Sequence, residues 1–168
     1  MITAGAKMHS LKKAPSPYKI LISACLLGEN VRYDAKINKI ENKLLDNWLQ
    51  HGILLSICPE VCGGLATPRP AAEIQNDGSI KTQAGQDVSE AFTAGALKTL
   101  QLALENNIKA AVLTEKSPSC GSSQIYNGSF DRTLISGQGV TTQLLRRHGI
   151  QVFNQFQLQQ VQDYLDGL

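Results

Sequence analysis

The sequence predicts an α/β fold: a single-domain, Rossmann-like three-layer sandwich with a mostly parallel sheet and a small β-hairpin insertion. Two observations carry the prediction. Short, nearly continuous apolar runs at 18–24, 53–57 and 109–114 have the character of strands covered on both faces. Segments with apolar residues at helical spacing alternate with them. The length, 168 residues, fits one domain.

The first run contains Ile20, Leu21 and Ile22 and ends at Cys25, Leu26, Leu27 and Gly28. A polar loop with Arg32, Tyr33 and Asp34 follows it. Residues 41–51 carry Leu44, Leu45, Trp48 and Leu49 at helical spacing, with Gly52 placed to end the helix. The second strand runs straight into Cys58, Pro59 and Glu60. Residues 58–72 are expected to be irregular, because Pro59, Gly63, Gly64, Pro68 and Pro70 interrupt them. Asn76, Asp77 and Gly78 then mark a tight hairpin turn between two short strands.

A long helix is expected at about 87–106, with Gly95 as a weak point inside it. The third strand leads into Glu115, Lys116, Ser117, Pro118, Ser119, Cys120 and Gly121. A loop with Tyr126, Phe130 and Arg132 follows. Residues 141–148 read as a helix, 150–153 as a fourth strand, and the remainder to Leu168 as a last helix.

Composition narrows the function. The 16 basic and 14 acidic residues leave a net charge of +2, which argues against nucleic-acid binding by electrostatics. No apolar run reaches the roughly 20 residues of a membrane span. Residues 1–17 carry Lys7, Lys12 and Lys13, lack a signal-peptide pattern, and are expected to form a flexible extension ahead of one domain at 18–168. A cytoplasmic location is expected, where four cysteines suggest metal binding, catalysis or inert burial rather than disulfides.

The positions of the cysteines say more than their number. Right-handed crossovers in a parallel sheet bring the strand C-termini to one edge, where ligands bind. Cys25 and Cys58 directly follow strands one and two, and Cys120 lies six residues beyond strand three. All three are therefore expected at that edge, in turns rich in glycine and proline. Thiolates are natural ligands of iron–sulfur clusters and of zinc. There is no CxxC pair, only the single C-x₃-C of Cys58 and Cys62. Three thiolates on a four-iron cluster would leave one iron open for chemistry, while Cys62 as a fourth ligand would close it.

Glu60 is the candidate acid/base, expected near thiolates whose charge would favour its protonated form. Ser117 and Ser119 are candidates for orienting a substrate. Arg32, Arg69 and Lys116 are candidates for recognising an anionic or carbonyl-bearing ligand. His51 and His148 end helices, so a Cys–His nucleophilic pair is poorly supported. Neither a GxGxxG turn nor a Walker A loop is present.

Three strings carry a resemblance: ISACLLGENVRYDA at 22–35, CPEVCGGLATPRPAAEI at 58–74, and KSPSCG at 116–121. Together they resemble the thiouracil desulfurase family. The resemblance implies a 4Fe-4S cluster on Cys25, Cys58 and Cys120, with the open iron taking the sulfur of a thiolated uracil or similar small thiocarbonyl compound. It implies catalytic roles for Glu60 and Ser117; Ser119, Arg32 and Lys116 are expected near the substrate from their place in the loops at the same edge. Cys62 is not a cysteine the family pattern requires. The alternative is a structural or sensory zinc or iron–sulfur protein that uses all four cysteines.

Overall fold

The computed structural model describes residues 16–168; the extension expected at 1–17 lies almost wholly outside the described residues. Four parallel strands form the centre: β1 (Ile20–Ser23), β2 (Leu54–Ile57), β5 (Ala110–Leu113) and β8 (Gln151–Asn154). Their order is β2-β1-β5-β8. Two antiparallel hairpins sit beside them, β3 (Ala72–Ile74) with β4 (Ile80–Thr82) and β6 (Gln124–Tyr126) with β7 (Leu134–Ser136).

Alternating side chains on β1 feed two separate cores. Ile20 and Ile22 pack on one face with Leu45 and Trp48 of α1 (Lys43–Gln50) and Val161 and Leu165 of α5 (Leu158–Asp166). Leu21 packs on the other face with Leu100 and Ala103 of α3 (Ser89–Glu105) and Leu145 of α4 (Val140–Arg147). Burying each of these larger apolar side chains contributes ~1.5–3 kcal/mol, so the sheet is fixed from both sides. This is the three-layer arrangement expected from the sequence. The Trp48 indole N–H also donates to Gln162 Oε1 at 2.9 Å, tying α1 to α5.

The chain steps outward from β1 to β2, then crosses back to β5 and continues to β8. Right-handed crossovers in these two directions put α1 on one face and α3 and α4 on the other. The reversal leaves a crevice between the C-terminal ends of β1 and β5. Cys25 follows one of those strands and the Cys120 loop follows the other.

Two elements went unrecognised in the sequence. Residues 59–62, expected as irregular, form a short helix α2 (Pro59–Cys62), with Pro59 at its first position, where a missing N–H costs nothing. The loop expected around Tyr126 is the β6–β7 hairpin, whose three-residue strands are too short to show an alternating pattern.

Gly95 is not a weak point. A Cβ there would run into the carbonyl of Pro59, and a Cβ on Gly63 would run into that of Ala91. Helices α2 and α3 therefore touch backbone to backbone, and only paired glycines permit it.

Candidate metal centre and catalytic cavity

Cys25 lies in a 3-10 turn, Ala24–Leu27, that continues directly from β1 and ends at Gly28 with φ 93°. Its Sγ is 2.8 Å from Thr114 Oγ1, at the end of β5. Cys58 directly precedes α2, and its thiol points toward the carbonyl of Val31 at 3.9 Å. Cys120 closes a turn in which the Ser117 oxygen accepts the N–H groups of Ser119 and Cys120, at 3.0 and 3.2 Å. The Ser23 hydroxyl donates to Cys120 Sγ at 3.8 Å and accepts the Thr114 N–H at 3.0 Å, so β1 and β5 are stitched together between the two thiols.

The three cysteines share one cavity of about 860 Å³, within the roughly 300–1,000 Å³ range of small-molecule sites. Cys25 and Cys120 are only 8% and 5% exposed. Burial raises all three thiols above the ordinary range. At Cys120 the negative charges of Glu60, Cys25 and Cys58 add to that effect. At Cys25, hydrogen bonds from Thr114 and Asn38 and the charge of Arg32 partly oppose it. Positive charge placed among the three sulfurs would favour their thiolate forms.

Cys62 is elsewhere. It packs against the core on the α3–α4 face and does not line the cavity. One turn of α2 separates it from Cys58, but the Gly63–Gly95 contact turns that side of the helix toward α3. The four-cysteine site held open by the sequence is therefore not the one this fold builds. Among the described residues, no three His, Cys, Asp or Glu side chains are arranged around a single ion position.

Glu60 sits on α2 at the cavity wall. Ser117 donates to its Oε1 at 3.1 Å. Arg69 donates to its Oε2 from Nη2 at 2.6 Å and from Nε at 2.9 Å. The sequence places Glu60 near thiolates, with Arg69 as one of several loop cations at the same edge; the structure sets that guanidinium directly against its carboxylate.

Ser117 and Ser119, two residues apart, separate completely. Ser117 lines the cavity. Ser119 is fully buried, its hydroxyl is 2.8 Å from Thr141 Oγ1 in α4, and it is not among the cavity-lining residues. This contact seats α4 against the Cys120 loop. That helix begins with Gly139 packed directly on the Ser119–Cys120 peptide, where any Cβ would collide.

Arg32 lines the cavity with its fork committed to Asp34, through Nε–Oδ1 and Nη2–Oδ2 bonds of 2.9 Å each. Those hydrogen bonds hold the Asp34 carboxyl down at about 2. Lys116 also lines the cavity, is exposed, and has a left-handed backbone with φ 71°. Phe130 and Arg132, with φ 57° and 65°, share both properties of position and backbone.

Glu115 is a structural carboxylate that the sequence did not single out. It is buried, and its oxygens accept the N–H groups of Ser122, Ser123 and Gln124, two serine hydroxyls and the Asn154 amide. Burial alone would raise its carboxyl, but the hydrogen bonds outweigh it and hold the group at about 2. The Cys120 loop is folded around this anion. Glu73 does the same on a smaller scale, its Oε2 accepting the Gly128 and Phe130 N–H groups at 3.0 Å each. A carboxylate beside a run of serines, as in Glu115 with Ser122 and Ser123, is the signal that would have found the first of these.

A family model and a solved structure agree on one description. Residues 20–157 match the family model of the 2-thiouracil desulfurases. The chain is similar to the solved structure of a [4Fe-4S]-dependent thiouracil desulfidase, TudS, with a TM-score of 0.88 and 48% identity over 90% of this chain and 99% of that one. It is also 41% identical to YbbK, an uncharacterised protein of Bacillus subtilis, over 84% of this chain and 99% of the relative.

Proposed function

The chain belongs to the 2-thiouracil desulfurase family, and on that premise we propose that it is an iron–sulfur enzyme that desulfurates a small thiolated base. The observation that carries the reading is the convergence of Cys25, Cys58 and Cys120 on one cavity that also presents Glu60, with Cys62 turned away.

The donor set fits a 4Fe-4S cluster: three thiols arrive from three separate elements, and no fourth one reaches the cavity. Held by Cys25, Cys58 and Cys120, such a cluster supplies one iron with a free coordination position, a soft Lewis acid suited to thiocarbonyl sulfur. The net reaction is hydrolytic, C=S plus water giving C=O plus hydrogen sulfide, with no change in electron count.

The protein's side chains handle position and protons. Glu60 Oε1 takes a proton from the attacking water and delivers one toward the departing sulfur. The Ser117 hydroxyl, 3.1 Å from that oxygen, orients carboxylate and substrate together. Arg32 and Lys116 contribute positive charge to the wall beside the carbonyl that forms. The apolar stretches of the wall, among them Val31, Leu65 and Phe92, limit water around the reacting carbon.

Residues 18–168 act in this reading as one cluster-binding unit. None of the helices among the described residues is long and apolar enough to cross a membrane. The four-cysteine structural or sensory reading loses its support with the placement of Cys62. A small-molecule substrate and a cytoplasmic site of action complete the proposal.

Anaerobic purification followed by iron and sulfide analysis and an assay with 2-thiouracil tests it. A brown protein that releases sulfide supports the proposal. A colourless protein with stoichiometric zinc and no activity on thiocarbonyls would sink it. Glu60→Gln is expected to keep the cluster while lowering turnover by ~10²–10⁴.

A further inference from the structure

Arg69 lies between Pro68 and Pro70, and its side chain is only 8% exposed. Its own N–H donates to the Tyr33 carbonyl at 2.9 Å, which anchors its backbone. Within the side chain, Nη1 donates to the Ala66 carbonyl at 3.0 Å and to Thr67 Oγ1 at 3.2 Å. The remaining donors, Nε and Nη2, both end on Glu60 Oε2.

This pattern is asymmetric. A guanidinium facing a carboxylate commonly bonds one nitrogen to each oxygen. Here both nitrogens hold one oxygen, and Oε1 is left for Ser117 alone. A glutamate side chain has several rotatable bonds, so an unpinned carboxylate would interchange its oxygens and swing away from the cavity. Two bonds to Oε2 prevent both motions. Arg69 also lines the cavity, but four of its five N–H donors are committed to Glu60 and to the 66–69 turn, which leaves one for any other partner.

We propose that Arg69 is a positioning residue, which fixes Glu60 so that Oε1 faces Ser117 and the reacting centre. The inference rests on the acid/base reading of Glu60 given above. A lysine cannot substitute, since an ammonium lacks the planar fork that grips one oxygen and the turn at once.

The decisive experiment is a double-mutant cycle of Glu60→Gln and Arg69→Met in the cluster-loaded enzyme, with iron and sulfide content measured in each variant. Arg69→Met is expected to lower kcat by ~10–100-fold, as small misplacements of a reacting group do, with KM little changed. In the Glu60→Gln background the same substitution is expected to cost less than about twofold, because its target is already disabled. An equal loss in both backgrounds, or a loss confined to KM, overturns the proposal. Arg69→Lys supplies a milder variant; full activity there also overturns it.

A crystal structure of Arg69→Met without the cluster gives a readout independent of turnover. The Ser117–Glu60 Oε1 hydrogen bond is expected to be lost, and its persistence would overturn the proposal. Wild-type enzyme that lacks iron or sulfide release would instead mark the failure of the desulfurase reading, a result separable from any of these.

Discussion

The helix carrying Glu60 is seated on α3 by a close backbone contact between glycines, whereas the loop carrying Ser117 and Cys120 is wrapped around a buried carboxylate. In the first, α2 lies against α3 with Gly63 and Gly95 back to back and no room for a side chain between them. In the second, residues 115–124 wrap a buried carboxylate that accepts three successive backbone N–H groups. Each segment delivers one thiol and one polar group to the same cavity. A site assembled this way depends on two kinds of physics, and they fail under different conditions. Close packing is insensitive to pH, while a buried anion is not.

The largest expected effect breaks the steric side. Gly95→Ala forces a methyl into the Pro59 carbonyl and is expected to cost about 3 kcal/mol or more, since α2 and α3 must separate. Urea unfolding would show a lowered midpoint, with the same deficit at pH 5 and pH 8.

A smaller effect is expected on the electrostatic side. Glu115→Gln keeps the volume but replaces an acceptor oxygen with a donor nitrogen facing other donors, a change expected to cost about 2 kcal/mol at neutral pH. The sign of the pH dependence follows from the lowered folded-state pKa. Stability from Glu115 is complete above the ordinary carboxylate range and is lost as the pH falls from 4.5 toward about 2. At 1.36 kcal/mol per unit, that loss is about 3 kcal/mol in the wild type. Acid unfolding of Glu115→Gln is therefore expected to be less steep than that of the wild type, measured by circular dichroism between pH 5 and pH 2. Equal steepness in both would show that the loop does not depend on this anion.

The same contrast explains what the sequence disclosed. Strand positions were readable because Ile20, Leu21 and Ile22 form a continuous apolar run, and burial on both faces leaves such a run few alternatives. Once the strands were placed, parallel topology put Cys25, Cys58 and Cys120 at one edge without knowledge of any contact. Glycine showed the limit of that reasoning. Gly95 looked like a flaw in a helix because its partner, Gly63, lies 32 residues earlier and meets it only in the folded chain. Arg69 was visible as one loop cation among several, and its grip on Glu60 depends on where the turn at 66–69 places it. Ser117 and Ser119 could not be told apart, since their separation is set by α4, which docks on Ser119 from more than 20 residues away.

Cys62 is the residue at which the two segments' roles meet the central claim, because it shares α2 with Glu60 but faces the α3–α4 core. Its replacement is expected to be the mildest of the cysteine changes. The most direct test is the iron and acid-labile sulfide content of the four single Cys→Ala variants, purified anaerobically beside the wild type. Loss of the cluster in Cys25→Ala, Cys58→Ala and Cys120→Ala, with wild-type content in Cys62→Ala, is the predicted result. Equal loss in all four would contradict the account and point to a closed site with no iron free for substrate.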